Sequence, residues 1–184
     1  LTQVLLKKNK VVVYDEFFFK WLFKNRKKIK FNNRLKIIKK DILNATSSDF
    51  KNIDIVCDLN GIPNDPSSEL NKKHTWGVNY YGRKKFAEIA KKAGVRRYIF
   101  NSTCAVYGFN KNTVNENSKT NPLSTYAKAN LKAEKAIYKL KSKNFKVNIL
   151  RNSTLFGFSQ NLRLDLVINI FVNSLISTGN ITVD

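Results

Sequence analysis

Short apolar runs rich in β-branched residues alternate along this chain with longer segments of helical periodicity. The runs typical of buried strands cover residues 11–14, 35–38, 54–59, 97–100 and 146–150, and residues 181–183 begin another. The helical segments cover residues 1–10, 75–93, 124–141 and 163–178. This alternation predicts a parallel sheet with helices on both faces, which is the doubly wound α/β fold class.

Polar residues stand where the predicted strands end. Asp15 follows the first run, Asn60 follows the third, and Ser102 and Thr103 follow the fourth. Right-handed crossovers bring the carboxyl ends of parallel strands to one edge of the sheet, and α/β proteins bind their ligands at that edge. We therefore expect these side chains to form a ligand-binding site.

The rarity of histidine and cysteine narrows the chemistry. His74 is the single histidine among 184 residues, which excludes multi-histidine metal sites and a Ser-His-Asp set, and no metal site is predicted. Two cysteines cannot form a disulfide framework and are typical of a reducing compartment, so we expect a cytoplasmic protein. No run of 18 apolar residues occurs, and no membrane partner is predicted.

The chain is strongly basic, with 34 Lys and Arg against 13 Asp and Glu and a net charge of +21. Such a charge is typical of proteins that bind nucleic acid or an acidic membrane surface. The basic residues are scattered, however, and Lys, Asn and Ile crowd the sequence together, as an AT-rich genome would impose. We favour this compositional explanation and predict no nucleic-acid partner.

Two segments carry a catalytic pattern. In residues 102–108, Thr103 stands four residues before the dipeptide Tyr107-Gly108, and Tyr126 begins a long predicted helix further on. Here the sequence resembles the extended short-chain dehydrogenase/reductase family, in its NAD-dependent epimerase/dehydratase branch that acts on nucleotide sugars. The resemblance extends from near residue 1 to residue 184 and includes residues 76–82, 93–98, 150–157 and 162–169.

The resemblance implies roles for three catalytic residues. Tyr126 would exchange a proton with a sugar hydroxyl while hydride leaves the carbon for the nicotinamide, and Thr103 would hold the same oxygen in line. Asn130 stands where the family has a lysine that binds the nicotinamide ribose and lowers the pKa of the tyrosine. An unperturbed tyrosine has a pKa of about 10, so we expect Asn130 to reduce or specialise the activity and Asn130→Lys to lower the pH optimum.

The resemblance also implies a set of binding residues for NAD and the sugar. Asp15 would accept hydrogen bonds from the adenosine ribose, and the negative charge of neighbouring Glu16 favours NAD over NADP. The other implied cofactor contacts are Asp41, Ile42, Leu59, Asn60, Gly61, Asn79, Ser102, Tyr126 and Asn130. The implied contacts to the nucleotide sugar are Thr103, Thr154 and Asn169.

Two departures from the family bear on the reaction and on the extent of the chain. Sugar 4,6-dehydratases carry an Asp-Glu pair directly after the threonine, whereas Cys104 and Ala105 stand here, so epimerisation is favoured over dehydration. The chain contains no methionine, and the family's first strand and glycine-rich turn would lie before Leu1. We therefore expect residues 1–160 to be a partial NAD-binding, Rossmann-like domain without that strand and loop. Residues 161–184 would begin the substrate-binding region.

The sequence thus favours an NAD-dependent nucleotide-sugar epimerase, of which this piece alone would be inactive. The resemblance further implies a homodimer in the full-length protein and a role in polysaccharide biosynthesis. Two alternatives stay open. The net charge and Asn130 would also suit a non-catalytic binding protein on the same scaffold, with RNA as a candidate ligand. A nucleotide-sugar reductase or dehydratase would use the same scaffold and the same cofactor.

Overall fold

The computed structural model describes residues 1–17, 33–157 and 163–183, and the chain divides into two compact units. The first unit is Leu1–Arg151 and the second is Asn152–Asp184. The domain boundary predicted after residue 160 lies outside the described residues. The assignment of residues 1–160 to cofactor binding and of residues 161–184 to substrate binding therefore stays a prediction.

Five strands of the described residues form two sheets. Strand β1 (Val11–Asp15) pairs in parallel with β2 (Leu35–Lys39). The second sheet has the order β3 (Ile55–Asp58), β4 (Arg97–Thr103) and β5 (Lys146–Asn152), with β3 and β4 parallel. The predicted Rossmann-like α/β class is confirmed. Among the described residues no strand joins β1 to β3.

Helices connect and cover the strands. They are α1 (Thr2–Leu6), α2 (Asp65–Leu70), α3 (Lys72–Trp76), α4 (Arg83–Lys92), α5 (Thr125–Tyr138) and α6 (Val167–Thr178), with short 3-10 helices at Ile42–Asn44, Ser47–Phe50 and Cys104–Tyr107. Helix α5 begins where Ser124 Oγ accepts a hydrogen bond from the N–H of Ala127 at 3.1 Å. Gly94 follows the end of α4 with a φ of 88°, a backbone conformation that favours glycine. None of the described helices is both long and apolar enough to cross a bilayer.

The segment before α4 differs from the helix predicted over residues 75–93. Asn64 and Asn71 each cap a helix start, because their side chains accept from the N–H of Ser67 and of His74, both at 2.9 Å. The helical region therefore begins at Asp65, ten residues before the predicted start. Residues Gly77–Gly82 then form a π-helical stretch, a rare geometry that is frequent at functional sites.

The main core lies between α4, α5 and the sheet of β3, β4 and β5. Its buried members include Phe86, Ala87, Ala90, Tyr98, Phe100, Ala133, Ile137 and Phe145. The ring of Tyr14 on β1 contacts the ring of Phe86 on α4 edge-on, with centroids 5.3 Å apart, so β1 also packs on α4. This packing holds β4 and α5 as rigid elements, and both carry residues of the predicted site.

The second unit contains α6, which begins at Val167 and not at residue 163 as predicted. Leu166, which precedes it, has an extended backbone with φ −95° and ψ 133°. Residues 181–183 were predicted to begin a strand, and this prediction is wrong: they pair with no strand in the described part of the chain. A β-branched run forms a strand only where a neighbouring strand accepts its hydrogen bonds.

Candidate active site

Thr103 and Tyr126 are brought together by two rigid elements. Thr103 is the last residue of β4, and Tyr126 is the second residue of α5. The Thr103 side chain is near enough to the Tyr126 hydroxyl to lower its pKa, and Thr103 Oγ1 accepts from the N–H of Ala105 at 3.1 Å. The two hydroxyls therefore lie side by side at the carboxyl end of β4. Their catalytic roles stay a prediction.

The electrostatic surroundings of Tyr126 oppose its ionisation on balance. Burial raises the pKa of its hydroxyl above the ordinary value. The interaction with Thr103 and the positive charge of Arg83 lower this pKa, while Asp65 and Cys104 raise it. A proton acceptor at this position therefore depends on positive charge nearby.

A buried ion pair connects the start of α4 to the end of β3. Arg83 is 2% exposed, and its Nε donates to Asp58 Oδ2 at 2.9 Å. Its Nη2 donates to the backbone carbonyls of Asp58 at 3.2 Å and Asn101 at 2.9 Å. The Tyr98 hydroxyl donates to the same carboxylate oxygen at 2.8 Å, and the guanidinium lies 3.8 Å from the centre of the Phe100 ring. The position of this cation is fixed from every side.

Asn130 joins this ion pair to the helix of Tyr126. Its Oδ1 accepts from Arg83 Nη1 at 2.8 Å, and its Nδ2 donates to the backbone carbonyl of Tyr126 at 2.9 Å. The residue is 1% exposed. The sequence predicted Asn130 as a ribose contact and a catalytic residue. The structure places its amide inside the protein, between α5 and Arg83.

Asn79, in the π-helical stretch, holds the loop that follows β3. Its side-chain oxygen accepts from the N–H of Ile62 at 2.7 Å, and its side-chain nitrogen donates to the carbonyl of Ile62 at 3.1 Å. Gly61 has a φ of 143°, and a Cβ there would lie 3.1 Å from Asn79 Oδ1. Asn79 thus supports this loop from behind, and glycine permits the close approach.

Leu59 and Asn60 stand directly after β3. The backbone N–H of Asn60 donates to Asp58 Oδ1 at 3.1 Å, and its side-chain nitrogen approaches the same oxygen at 3.4 Å. Leu59 is exposed. Asn60 therefore joins the hydrogen-bond network of Asp58 and Arg83, and the loop that bears it lies at the same sheet edge as Thr103, because β3 and β4 are parallel.

The predicted adenosine contacts form a separate group at the other sheet. Asp15 ends β1 with an exposed carboxylate, whose Oδ1 accepts from the N–H of Phe17 at 2.6 Å. Asp41 Oδ1 accepts from the N–H of Leu43 at 2.9 Å, and the Tyr14 hydroxyl donates to the Asp41 carbonyl at 3.0 Å. Ile42 packs into the main core.

Ser102 is turned into the protein. Its hydroxyl donates to Glu134 Oε1, and the Glu134 carboxylate also accepts from Arg151 Nη2 at 2.8 Å. Arg151 Nη1 donates to the hydroxyl of Tyr107 at 2.9 Å. The Glu134 carboxylate raises the pKa of Arg151 further above its ordinary value. This network ties β4, α5 and β5 together.

Of the three residues predicted to bind the nucleotide sugar, Thr154 and Asn169 lie in the second unit. Thr154 is exposed. Asn169 is buried in α6, where its Oδ1 accepts from the N–H of Gly157 at 3.2 Å and its Nδ2 donates to the carbonyl of Arg163 at 3.0 Å. Within that unit, the Asn169 side chain therefore binds the backbone of residues that precede α6.

Sequence reasoning missed the charged residues that support the site. They are Asp58, Arg83, Glu134 and Arg151. One signal was available: Tyr126, Asn130 and Glu134 are spaced by four residues, which places them on one helix face. For Arg83 no signal existed, because its partner Asp58 lies 25 positions away and a basic helix start looks solvent-exposed. In residues 1–17, 33–157 and 163–183, no group of three or more His, Cys, Asp or Glu could hold a metal ion.

Comparison with known proteins places this arrangement in a family. The sequence profile of the NAD dependent epimerase/dehydratase family matches residues 1–183. The chain belongs to this family. An uncharacterised UDP-glucose epimerase of Bacillus subtilis (strain 168) is 30% identical to it over 158 residues, which are 82% of this chain and 50% of the relative. The chain therefore spans about half the length of that family member.

Two further relatives are epimerases by name. The N-acetyl-alpha-D-glucosaminyl-diphospho-ditrans,octacis-undecaprenol 4-epimerase of Escherichia coli O157:H7 is 32% identical over 85 residues, covering 45% of this chain and 26% of the relative. The UDP-glucuronic acid 4-epimerase of Bacillus cereus, solved with UDP-glucuronic acid and NAD, superposes with a TM-score of 0.82 at 26% identity. That match covers 95% of this chain and 58% of the solved chain.

Proposed function

We propose that this chain is part of an NAD-dependent nucleotide-sugar epimerase, in which Tyr126 and Thr103 act on one hydroxyl group of the sugar. The observation that carries the proposal is the proximity of these two side chains at the end of β4. The family of the chain and the names of its relatives support the same activity.

The residues present fit NAD at two places. The exposed Asp15 carboxylate at the end of β1 is the group that ribose hydroxyls require in dinucleotide-binding folds. The loop after β3 presents glycine at position 61, where the backbone is free of a side chain and is braced by Asn79. Asp15, Asp41 and Ile42 would hold the adenosine end. Leu59, Asn60 and Gly61 would approach the other ribose.

The chemistry follows from the residue types. NAD supplies the acceptor and donor of hydride when it is bound. The Tyr126 oxygen would take the proton of the sugar hydroxyl as a general base and return it as a general acid. Thr103 would hold the same sugar oxygen, since its own hydroxyl already lies against Tyr126 and its position is fixed by the Ala105 N–H.

Epimerisation is favoured over dehydration by the two residues after Thr103. Elimination of water requires an acid and a base beside the sugar carbon that loses its hydroxyl. Cys104 is exposed and Ala105 has no ionisable group, and both belong to the 3-10 helix that leaves β4. The side chains that follow Thr103 therefore supply no carboxylate pair.

The substrate class proposed is a UDP-sugar, because the Bacillus relatives are named for such compounds. The sugar and the carbon that is inverted are left to experiment. A homodimer of the complete protein, a cytoplasmic location and a role in polysaccharide biosynthesis stay predictions.

The complete protein that contains this chain allows a direct test. We expect NAD to co-purify with it, and UDP-glucose, UDP-N-acetylglucosamine or UDP-glucuronic acid carrying deuterium at C4 to give an epimer that retains the label. Transfer of the label to NAD, with accumulation of reduced nicotinamide and a keto sugar, would indicate an enzyme of the reductase type, and loss of water a dehydratase. A protein without NAD that binds RNA with a steep salt dependence would contradict the proposal in favour of the RNA-binding alternative.

A further inference from the structure

Arg83 is the charged group that most needs an explanation. Burying a guanidinium is costly unless it is paired and fully hydrogen-bonded. Here the pairing is complete, because Asp58 accepts from Nε at 2.9 Å and the Asp58 and Asn101 carbonyls accept from Nη2 at 3.2 and 2.9 Å. Helix formation at the start of α4 does not require such a residue. A function for the buried cation is therefore expected.

The remaining nitrogen of Arg83 points toward the helix of Tyr126. Nη1 donates to Asn130 Oδ1 at 2.8 Å, and Asn130 Nδ2 donates to the Tyr126 carbonyl at 2.9 Å. Asn130 follows Tyr126 by one helical turn, and thus lies on the same face of α5. The cation on α4 is joined through one side chain to the residue proposed to move the proton.

We propose that Arg83 is a positioning residue that supplies the positive charge for Tyr126 from α4, and that Asn130 holds its guanidinium in place. A lysine at position 130 would supply such a charge from α5 itself. In this protein the charge comes from the neighbouring helix and the residue at position 130 is a neutral acceptor. The inference rests on the proposed function of Tyr126 as acid and base.

The charges around Tyr126 agree with this division of roles. Burial, Asp65 on α2 and Cys104 after β4 each raise the pKa of Tyr126, whereas Arg83 and the interaction with Thr103 lower it. A guanidinium stays protonated at every pH at which a protein is folded. Its effect on Tyr126 is therefore constant, unlike that of a buried lysine, which can lose its proton.

The arrangement also explains why asparagine suits position 130. A lysine there would direct its ammonium group toward a guanidinium that now lies 2.8 Å from the Asn130 oxygen. Two buried like charges at that separation are strongly unfavourable. The pair of Arg83 and Asn130 is one compatible combination, and an uncharged residue at position 83 with a lysine at position 130 is another. A cation at both positions is not compatible with this packing.

The test is a spectroscopic titration of Tyr126 in the complete protein, obtained as the tyrosinate absorbance of the protein minus that of its Tyr126→Phe variant. We expect Arg83→Gln to raise the pKa of Tyr126 by about 1, the size expected for the loss of a nearby opposite charge. Arg83→Lys keeps the charge and should leave most of the effect. An equal rise in both variants, or no rise in either, would overturn the inference.

Arg83→Gln leaves the buried Asp58 carboxylate unpaired and therefore risks unfolding. The double variant Asp58→Asn with Arg83→Gln avoids this, because both partners become neutral amides and no buried charge is left unpaired. The same rise in the pKa of Tyr126 is expected there. Adding Asn130→Lys to Arg83→Gln should lower that pKa again, and failure of this rescue in a folded protein would contradict a role of charge.

The titration needs neither sugar nor NAD, so its result is separate from that of the epimerase assay. If the protein lacks epimerase activity but the pKa of Tyr126 still depends on Arg83, the proposed function is wrong and the inference about Arg83 stands. If the protein is an active epimerase but the pKa of Tyr126 does not change when Arg83 is replaced, the inference about Arg83 is wrong and the proposed function stands.

Discussion

The side-chain amide of Asn79 hydrogen-bonds both backbone polar groups of Ile62, accepting from its N–H at 2.7 Å and donating to its carbonyl at 3.1 Å. A backbone amide and a side-chain amide are paired here in the manner of two adjacent strands. The contact fixes the loop after β3 from a buried position in the π-helical stretch. The loop is the one that presents Gly61.

Asn79→Leu removes both of these hydrogen bonds while filling the same volume. We expect a loss of about 2 kcal/mol in the free energy of unfolding, because two backbone groups lose their partners. NAD affinity of the complete protein should fall as well, since the loop is no longer held. Urea denaturation and NAD titration measure the two effects. Asn112→Leu, at an exposed position, is the control, and equal behaviour of the two variants would contradict the role of Asn79.

Tyr126→Phe removes the hydroxyl proposed to exchange the proton and leaves the helix intact. The turnover number of the complete enzyme should fall by about 10²- to 10⁴-fold, the contribution of a general acid or base. Tyr138→Phe is the matched control, because Tyr138 lies on the same helix and is 52% exposed. Steady-state rates of epimer formation give the comparison. Comparable activity of both variants would exclude Tyr126 as the acid and base.

The sequence was informative where a local pattern decides the structure. The β-branched run that precedes Asp15 and the capped helix that begins at Thr125 are set by residues close together in the chain, and both elements form as predicted. The meeting of Thr103 and Tyr126 followed from the family resemblance. Each of these inferences used a spacing that can be counted in the sequence.

The rest depended on contacts between distant residues. Nothing near Arg83 in the chain indicates that it is buried against Asp58, and nothing near Asn130 indicates that its oxygen faces a guanidinium. The prediction for Asn130 compared it only with the lysine that the family has at this position on the same helix. The cation that contacts it comes from α4, and helix packing decides this.

Asn130→Lys now has a different expected outcome from the lower pH optimum predicted from the sequence. With Arg83 present, the new ammonium group should destabilise the fold by about 3 kcal/mol, because two like charges share a buried site. In the Arg83→Gln background, the same substitution should have a much smaller effect. Chemical denaturation of the two single variants and the double variant gives the coupling free energy. Asn148→Lys, on the exposed side of β5, is the control. Additive effects would show that positions 83 and 130 do not interact.

The stability of the fold at low pH should depend on Glu69, which hydrogen-bonds the backbone at the amino-terminal end of α5. Its Oε1 accepts from the N–H of Thr125 at 2.7 Å, and Lys72 lies 3.1 Å from its other oxygen. The hydrogen bonds from Thr125, together with that from Lys72, lower the pKa of Glu69 to about 2. An unfolded glutamate has a pKa of about 4.3, so the stabilisation by the carboxylate is complete above that value and is lost as the pH falls toward 2.

The melting temperature of Glu69→Gln should therefore be lower than that of the parent at neutral pH and should converge with it near pH 2, as measured by circular dichroism at a series of pH values. Glu116→Gln, at an exposed loop position, should leave the melting temperature unchanged. A difference between Glu69→Gln and the parent that stays constant down to pH 2 would show that the charge of Glu69 does not stabilise the start of the helix that carries Tyr126.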